Sequence, residues 1–153
     1  MPEAPLAPTK RELVRVTAAF VLAAVAPLVL PTPGSTQASP LRETVSVGAD
    51  VPIPNLPGKR LVTHIVEYPP GVSSAAHHHA PSAFIYAYVL SGEIRSQVDG
   101  EAARIYRAGE TWFEKPGAYH RVSANASDTE PARLLAVLVV DAADKQLVIP
   151  DSQ

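Results

Sequence analysis

At 153 residues the chain is the length of one domain, and its 46% hydrophobic content is enough for a packed core. With 13 Lys and Arg against 15 Asp and Glu it shows no basic patch for nucleic acid and no acidic tail. The absence of cysteine excludes a disulfide framework, a thiolate zinc site and a thiol nucleophile.

Residues 1–38 read as an address. A polar stretch carrying Lys10, Arg11 and Arg15 precedes an apolar run from Val16 to Leu30, and a proline- and small-residue segment follows. That is the order of a secretory signal, with cleavage after Ala38. The run is short of the roughly 20 apolar residues of a spanning helix. An uncleaved anchor and a buried core helix are the alternatives. The expectation is a signal-like helix, then a secreted, periplasmic or cell-envelope protein with no membrane contact once the segment is removed.

Residues 39–60 hold Pro40, Pro52, Pro54 and Pro57 among short β-prone pieces, and read as an arm or edge strand. Leu61–Tyr68 is rich in β-formers and stops at Pro69-Pro70-Gly71. Phe84–Leu90 is aromatic and apolar, bounded by Ser91-Gly92. Glu93–Val98 alternates and meets Asp99-Gly100, a two-residue hairpin turn, with Ala102–Tyr106 as the return strand. Thr111–Glu114 ends near Pro116-Gly117, and His120–Ser123 is short. Arg133–Val140 is continuously apolar and reads as a strand buried on both faces. No segment after residue 40 has the period of an amphipathic helix over three turns. Strands recurring every 8 to 12 residues with turns between predict an all-β antiparallel sandwich or barrel across 61–150.

Three of the five histidines are consecutive. On a strand, His77 and His79 point the same way, about 7 Å apart at the backbone, and His78 points the other way. Two imidazoles so placed can share one metal ion; a solvated histidine cluster is the plainer alternative.

The surroundings carry a resemblance. Gly71, then His77-x-His79, then Gly92 closing an aromatic strand resemble the first motif of the cupins. Gly109, then Lys115-Pro116-Gly117-Ala118-Tyr119-His120, then Asn125 resemble the second. The resemblance spans about residues 60 to 141. It implies a jelly-roll β-barrel in which His77, His79 and His120 converge on a divalent metal: Fe, Zn, Mn, Ni or Cu, which imidazole alone does not separate. The glutamate usual in the first motif is missing, because its place falls on Phe84 or Ile85. Lys115 stands where proline is expected, and Asn125 comes one residue late.

Glu114, six residues before His120, is either an exposed strand-end charge or a fourth ligand or hydrogen-bond partner of a ligand histidine. Tyr119, Phe84, Ile85 and Arg95 are the expected substrate-pocket residues, although Arg95 and Gln97 share a face that reads mainly as solvated. His64, Glu67, Glu110 and His78 read mainly as ordinary surface or core residues. Tyr86, Tyr88, Trp112 and Phe113 read as barrel wall or a dimer face. The expected partner is a small molecule, with homodimerisation an added expectation. The resemblance implies a metalloenzyme of oxygenase or isomerase type; a non-catalytic metal- or ligand-binding cupin of the envelope, or a structural barrel with a vestigial site, are the alternatives.

Overall fold

A computed structural model describes residues 41–151. The signal-like helix expected at 1–38 lies outside them. Ten strands and no helix occur among the described residues. They are β1 (Thr44–Pro52), β2 (Lys59–Tyr68), β3 (His77–His79), β4 (Phe84–Ser91) and β5 (Glu93–Val98), then β6 (Arg104–Arg107), β7 (Thr111–Glu114), β8 (Tyr119–Asn125), β9 (Ala132–Asp141) and β10 (Val148–Pro150).

The strands form two five-stranded antiparallel sheets, ordered β1-β2-β9-β4-β7 and β10-β3-β8-β5-β6. The all-β expectation holds. Side-chain alternation turns one row of each strand inward: Ile85, Ala87 and Val89 on β4, Ile94 and Ser96 on β5, Trp112 and Glu114 on β7. The inward apolar rows make two clusters. One gathers Tyr68, Val89, Ile94, Trp112 and Leu134; the other gathers Val62, Ile85, Leu138 and Val140. Each fully buried Leu, Ile or Val contributes on the order of 1.5–3 kcal/mol, so these rows hold the sheets together.

Two expectations change in detail. The turn Val98–Glu101 closes as read, with Asp99 and Gly100 both at positive φ and Glu101 N–H donating to Val98 C=O. The return strand nevertheless starts at Arg104, two residues late. Val98 and Asp99 are drawn across to β8 instead, where Val98 pairs with His120 and Asp99 N–H donates to Tyr119 C=O. Strand β9 is not buried on both faces. Leu134, Leu138 and Val140 point inward, whereas Leu135 and Val137 on the outer face are half-buried. Central placement in a sheet covers the edges of a strand, not its outer face.

Gly92 joins β4 to β5 at φ +71, where a Cβ would sit 2.6 Å from Pro131 O and 2.8 Å from Ala132 Cα. Gly92→Ala is expected to cost about 2–5 kcal/mol, from left-handed strain plus overpacking. Gly100 has a similar φ, +77, with nothing within 4 Å of the added atom. Gly100→Ala should therefore cost only the backbone share, about 1 kcal/mol. Urea denaturation of both variants checks this, and equal losses would refute the packing argument.

Candidate metal centre

Strand β3 is only three residues long, but its parity settles three side chains. His77 and His79 are buried and His78 is exposed. His77 lies directly across the ladder from His120 on β8. The ring centroids of His77, His79 and His120 are 4.8, 5.3 and 5.9 Å apart, and one ligating nitrogen from each lies within 4.8 Å of the others. A shared ion at about 2.1 Å from each nitrogen needs separations of roughly 3–3.5 Å, so about an ångström of ring closure completes the arrangement.

Glu114 joins this group from β7. Its side chain is 3% exposed, and its Cα pairs across the ladder with Ile85. Trp112 Nε1–H donates to Oε1 at 2.9 Å. Oε2 approaches His79 Nε2 to 2.8 Å, and Oε1 lies 3.5 Å from His120 Nδ1. Yet His79 Nε2, His79 Nδ1 and Glu114 Oε2 are fully buried and lack hydrogen-bond geometry with any partner. An N–H pointing at that carboxylate would have satisfied both. A cation held between the two atoms would account for a close approach without a well-aligned N–H. The donor set, three imidazoles and one carboxylate, suits a divalent first-row ion.

The supporting contacts set the tautomers. Ala75 C=O lies 2.8 Å from His77 Nδ1 and can only accept, so Nδ1 carries the proton and the Nε2 lone pair is free. Ser96 Oγ lies 3.0 Å from His120 Nε2, leaving Nδ1 of that ring on the Glu114 side. Burial lowers His77 despite the Ala75 carbonyl, and lowers His120 to about 4 despite Glu114. Burial alone would raise Glu114, but the His79 and His120 imidazoles outweigh it and hold the carboxyl below its ordinary range. Neutral imidazoles and an ionised carboxylate are the forms that bind metal.

A sign follows for stability. The unfolded chain protonates His120 near the ordinary 6.5, whereas the folded chain resists until about 4. Metal-free protein therefore loses stability as pH falls from about 7 to 4, by on the order of 3 kcal/mol from this residue. Glu114, held low in the fold, adds to the loss below its ordinary value of 4.5. Thermal melts of chelator-treated protein should show this slope, and His120→Asn should flatten it.

A cavity of about 410 Å³ opens beside the cluster, lined by both β-sheets and by Glu43. Ile85 lines it as expected; Tyr119, Phe84 and Arg95 do not. All three corrections have one cause, the alternation of a strand. Ile85, Ser96 and His120 occupy the inward positions, so the residue before each faces out. Phe84 stacks on Phe113 on the outer face, and Arg95 is exposed. Tyr119 stacks on His78 and donates its hydroxyl to Asp151 Oδ2 at 2.7 Å. His64 lines the cavity. Glu67 pairs with Arg133, and Glu110 caps the backbone N–H of Arg107, both at the surface. Asn125 tethers the loops around it through Tyr68, Pro69 and Glu130 carbonyls.

Sequence reasoning missed Ser96, Tyr68, Ser74 and Ser123. The inward parity of Ser96 was available from Ile94 on the same strand; the contacts of the others depend on which strands meet.

The cupin domain family of type 2 matches residues 64–138. Among curated proteins none matches the chain. A Klebsiella pneumoniae protein with a double-stranded β-helix domain is similar at 22% identity and TM-score 0.55, over 75% of this chain and 90% of that one. A cupin 2 conserved barrel domain protein from Salinispora arenicola is similar at 27% identity and TM-score 0.50, over 66% and 77%. An oxalate oxidase in complex with glycolate is similar at 21% identity and TM-score 0.56, over 74% of this chain and 57% of that one.

Proposed function

Because the chain belongs to the cupin superfamily, within its type-2 group, we propose that it is a metal-binding cupin acting as a small-molecule metalloenzyme of oxygenase or isomerase type. The observation that carries this is the set of buried, unsatisfied donors, His79 Nε2 and Glu114 Oε2, beside His77 and His120 at the edge of a cavity. His77, His79 and His120 would hold the ion, with Glu114 as fourth ligand. A bound divalent ion would supply Lewis acidity or electron transfer to O₂.

The protein's own groups do the rest. The Ala75 carbonyl and Ser96 fix the rings, Trp112 fixes the carboxylate, and the apolar walls exclude water. Glu114 thereby stands where the first-motif glutamate would, since its strand lies against Ile85. The partner in this reading is a small molecule. Export rests on the residue order of 1–38, and self-association on the exposed Phe84–Phe113 stack. N-terminal sequencing and light scattering of the exported chain check both, and an intact N-terminus or a monomer refutes the respective claim.

The central test is metal content by mass spectrometry after growth in metal-rich medium, followed by O₂ uptake with small enols and thiols. Stoichiometric iron with O₂ uptake supports an oxygenase. Stoichiometric zinc without turnover supports a non-catalytic binder instead. No metal, or metal retained after all three histidines become alanine, sinks the reading.

A further inference from the structure

The walls of the cavity specify more than a metal site. Apart from the cluster, Glu43, His64 and three hydroxyls they are hydrocarbon, with Val66, Leu134, Ala136 and Leu138 from one sheet and Val148 and Pro150 from the edge of the other. No lysine or arginine lines the cavity among the described residues, and its further acidic group, Glu43, is negative. The mouth is apolar too, since Val45 is 53% exposed and Val148 is 39% exposed.

A group of hydroxyls is a further polar feature of these walls. Tyr68 Oη sits 2.9 Å from Ser74 Oγ and 2.8 Å from Ser123 Oγ. Three hydroxyl hydrogens share two contacts, and none of the three hydroxyls has another side-chain partner among the described residues. At least one hydrogen is therefore free to donate into the cavity. Burial raises the Tyr68 phenol above its ordinary value, so it remains protonated.

We propose that the cavity binds an uncharged, mainly hydrocarbon small molecule whose oxygen atoms meet the cluster and the Tyr68–Ser74–Ser123 hydroxyls, and that without the ion it rejects small carboxylates. This rests on the metal-centre reading for one of the two polar contacts. In the metal-free protein a carboxylate would enter without a cation to offset its desolvation, a cost of several kcal/mol, whereas a bound ion would itself attract it. A neutral ketone of the same shape enters without that penalty and gains from apolar burial. The oxalate oxidase resemblance, at 21% identity, is one of fold.

The test uses the full chain, zinc-loaded and metal-free, with zinc stoichiometry measured first. Acetophenone, benzoate and oxalate are titrated by calorimetry. Acetophenone and benzoate share a ring and differ in charge. In the metal-free protein acetophenone is expected to bind at least about tenfold more tightly than benzoate, with oxalate giving no saturable heat. Val45→Arg, at the exposed mouth where a long side chain is tolerated, should shift that ratio at least about tenfold toward benzoate. Ala136→Phe should remove acetophenone binding and leave zinc stoichiometry unchanged. Tighter binding of benzoate or oxalate by the metal-free protein, or no acetophenone binding by either form, overturns the proposal. Failure to take up zinc would refute the metal centre alone, because the neutral preference is then read on the metal-free protein.

Discussion

Glu114→Gln is expected to weaken zinc binding about 10- to 100-fold, the range for losing a charged partner of a metal site, while the protein stays folded. The amide oxygen of glutamine can still accept from Trp112 Nε1, so the contact that holds the side chain survives. What disappears is the negative charge and the Oε2 lone pair beside His79. Without metal the same substitution should also cost stability, because the fold holds the carboxyl below its ordinary range and so favours the charge that glutamine lacks. Glu114→Leu separates the structural share, since it strands the indole N–H in the core at a cost of about 1–3 kcal/mol. Competition with a chromogenic chelator gives the affinities, and denaturation with and without zinc gives the stabilities. Unchanged zinc affinity in the glutamine variant would return Glu114 to a purely structural role.

His120→Ala is expected to weaken zinc binding by more than about 100-fold, beyond the loss typical of supporting partners. His77 and His79 would remain on β3, but they share one short strand and lose the donor that faces them from β8. The stability consequence is measurable. At a free zinc concentration about 100 times the dissociation constant, binding adds about 2.7 kcal/mol to the folded state, and the variant should gain almost none of it. His78→Ala is the matched control, because that ring is exposed and stacks on Tyr119. It should retain full zinc stoichiometry. Equal loss from His78 and His120 would mean that zinc is held by a loose surface cluster.

The strands were legible because turn chemistry and period-2 patterning are local. Thr111–Glu114 and Glu93–Val98 coincide with β7 and β5, and the three inward histidines follow from parity plus the resemblance of two motifs. Facing was misread at Phe84 and Tyr119, whereas Arg95 takes its solvated alternative. Phe84, Arg95 and Tyr119 stand next to Ile85, Ser96 and His120, and a one-residue error sends a side chain to the opposite face. Aromatic and charged side chains attract functional readings, while a serine such as Ser96, which contacts His120, does not.

Glu114 marks the boundary between the two kinds of information. Composition, turns and spacing determined an all-β chain with His77 and His79 on one face of a strand and His120 beyond a glycine turn. Six residues of sequence separate Glu114 from His120, and nothing local tells a strand-end charge from a buried ligand. Only the antiparallel pairing of β4 with β7 decides it, by setting Glu114 across from Ile85. Long-range ladder registry is fixed by the packing of whole sheets, and a chain read residue by residue does not contain it.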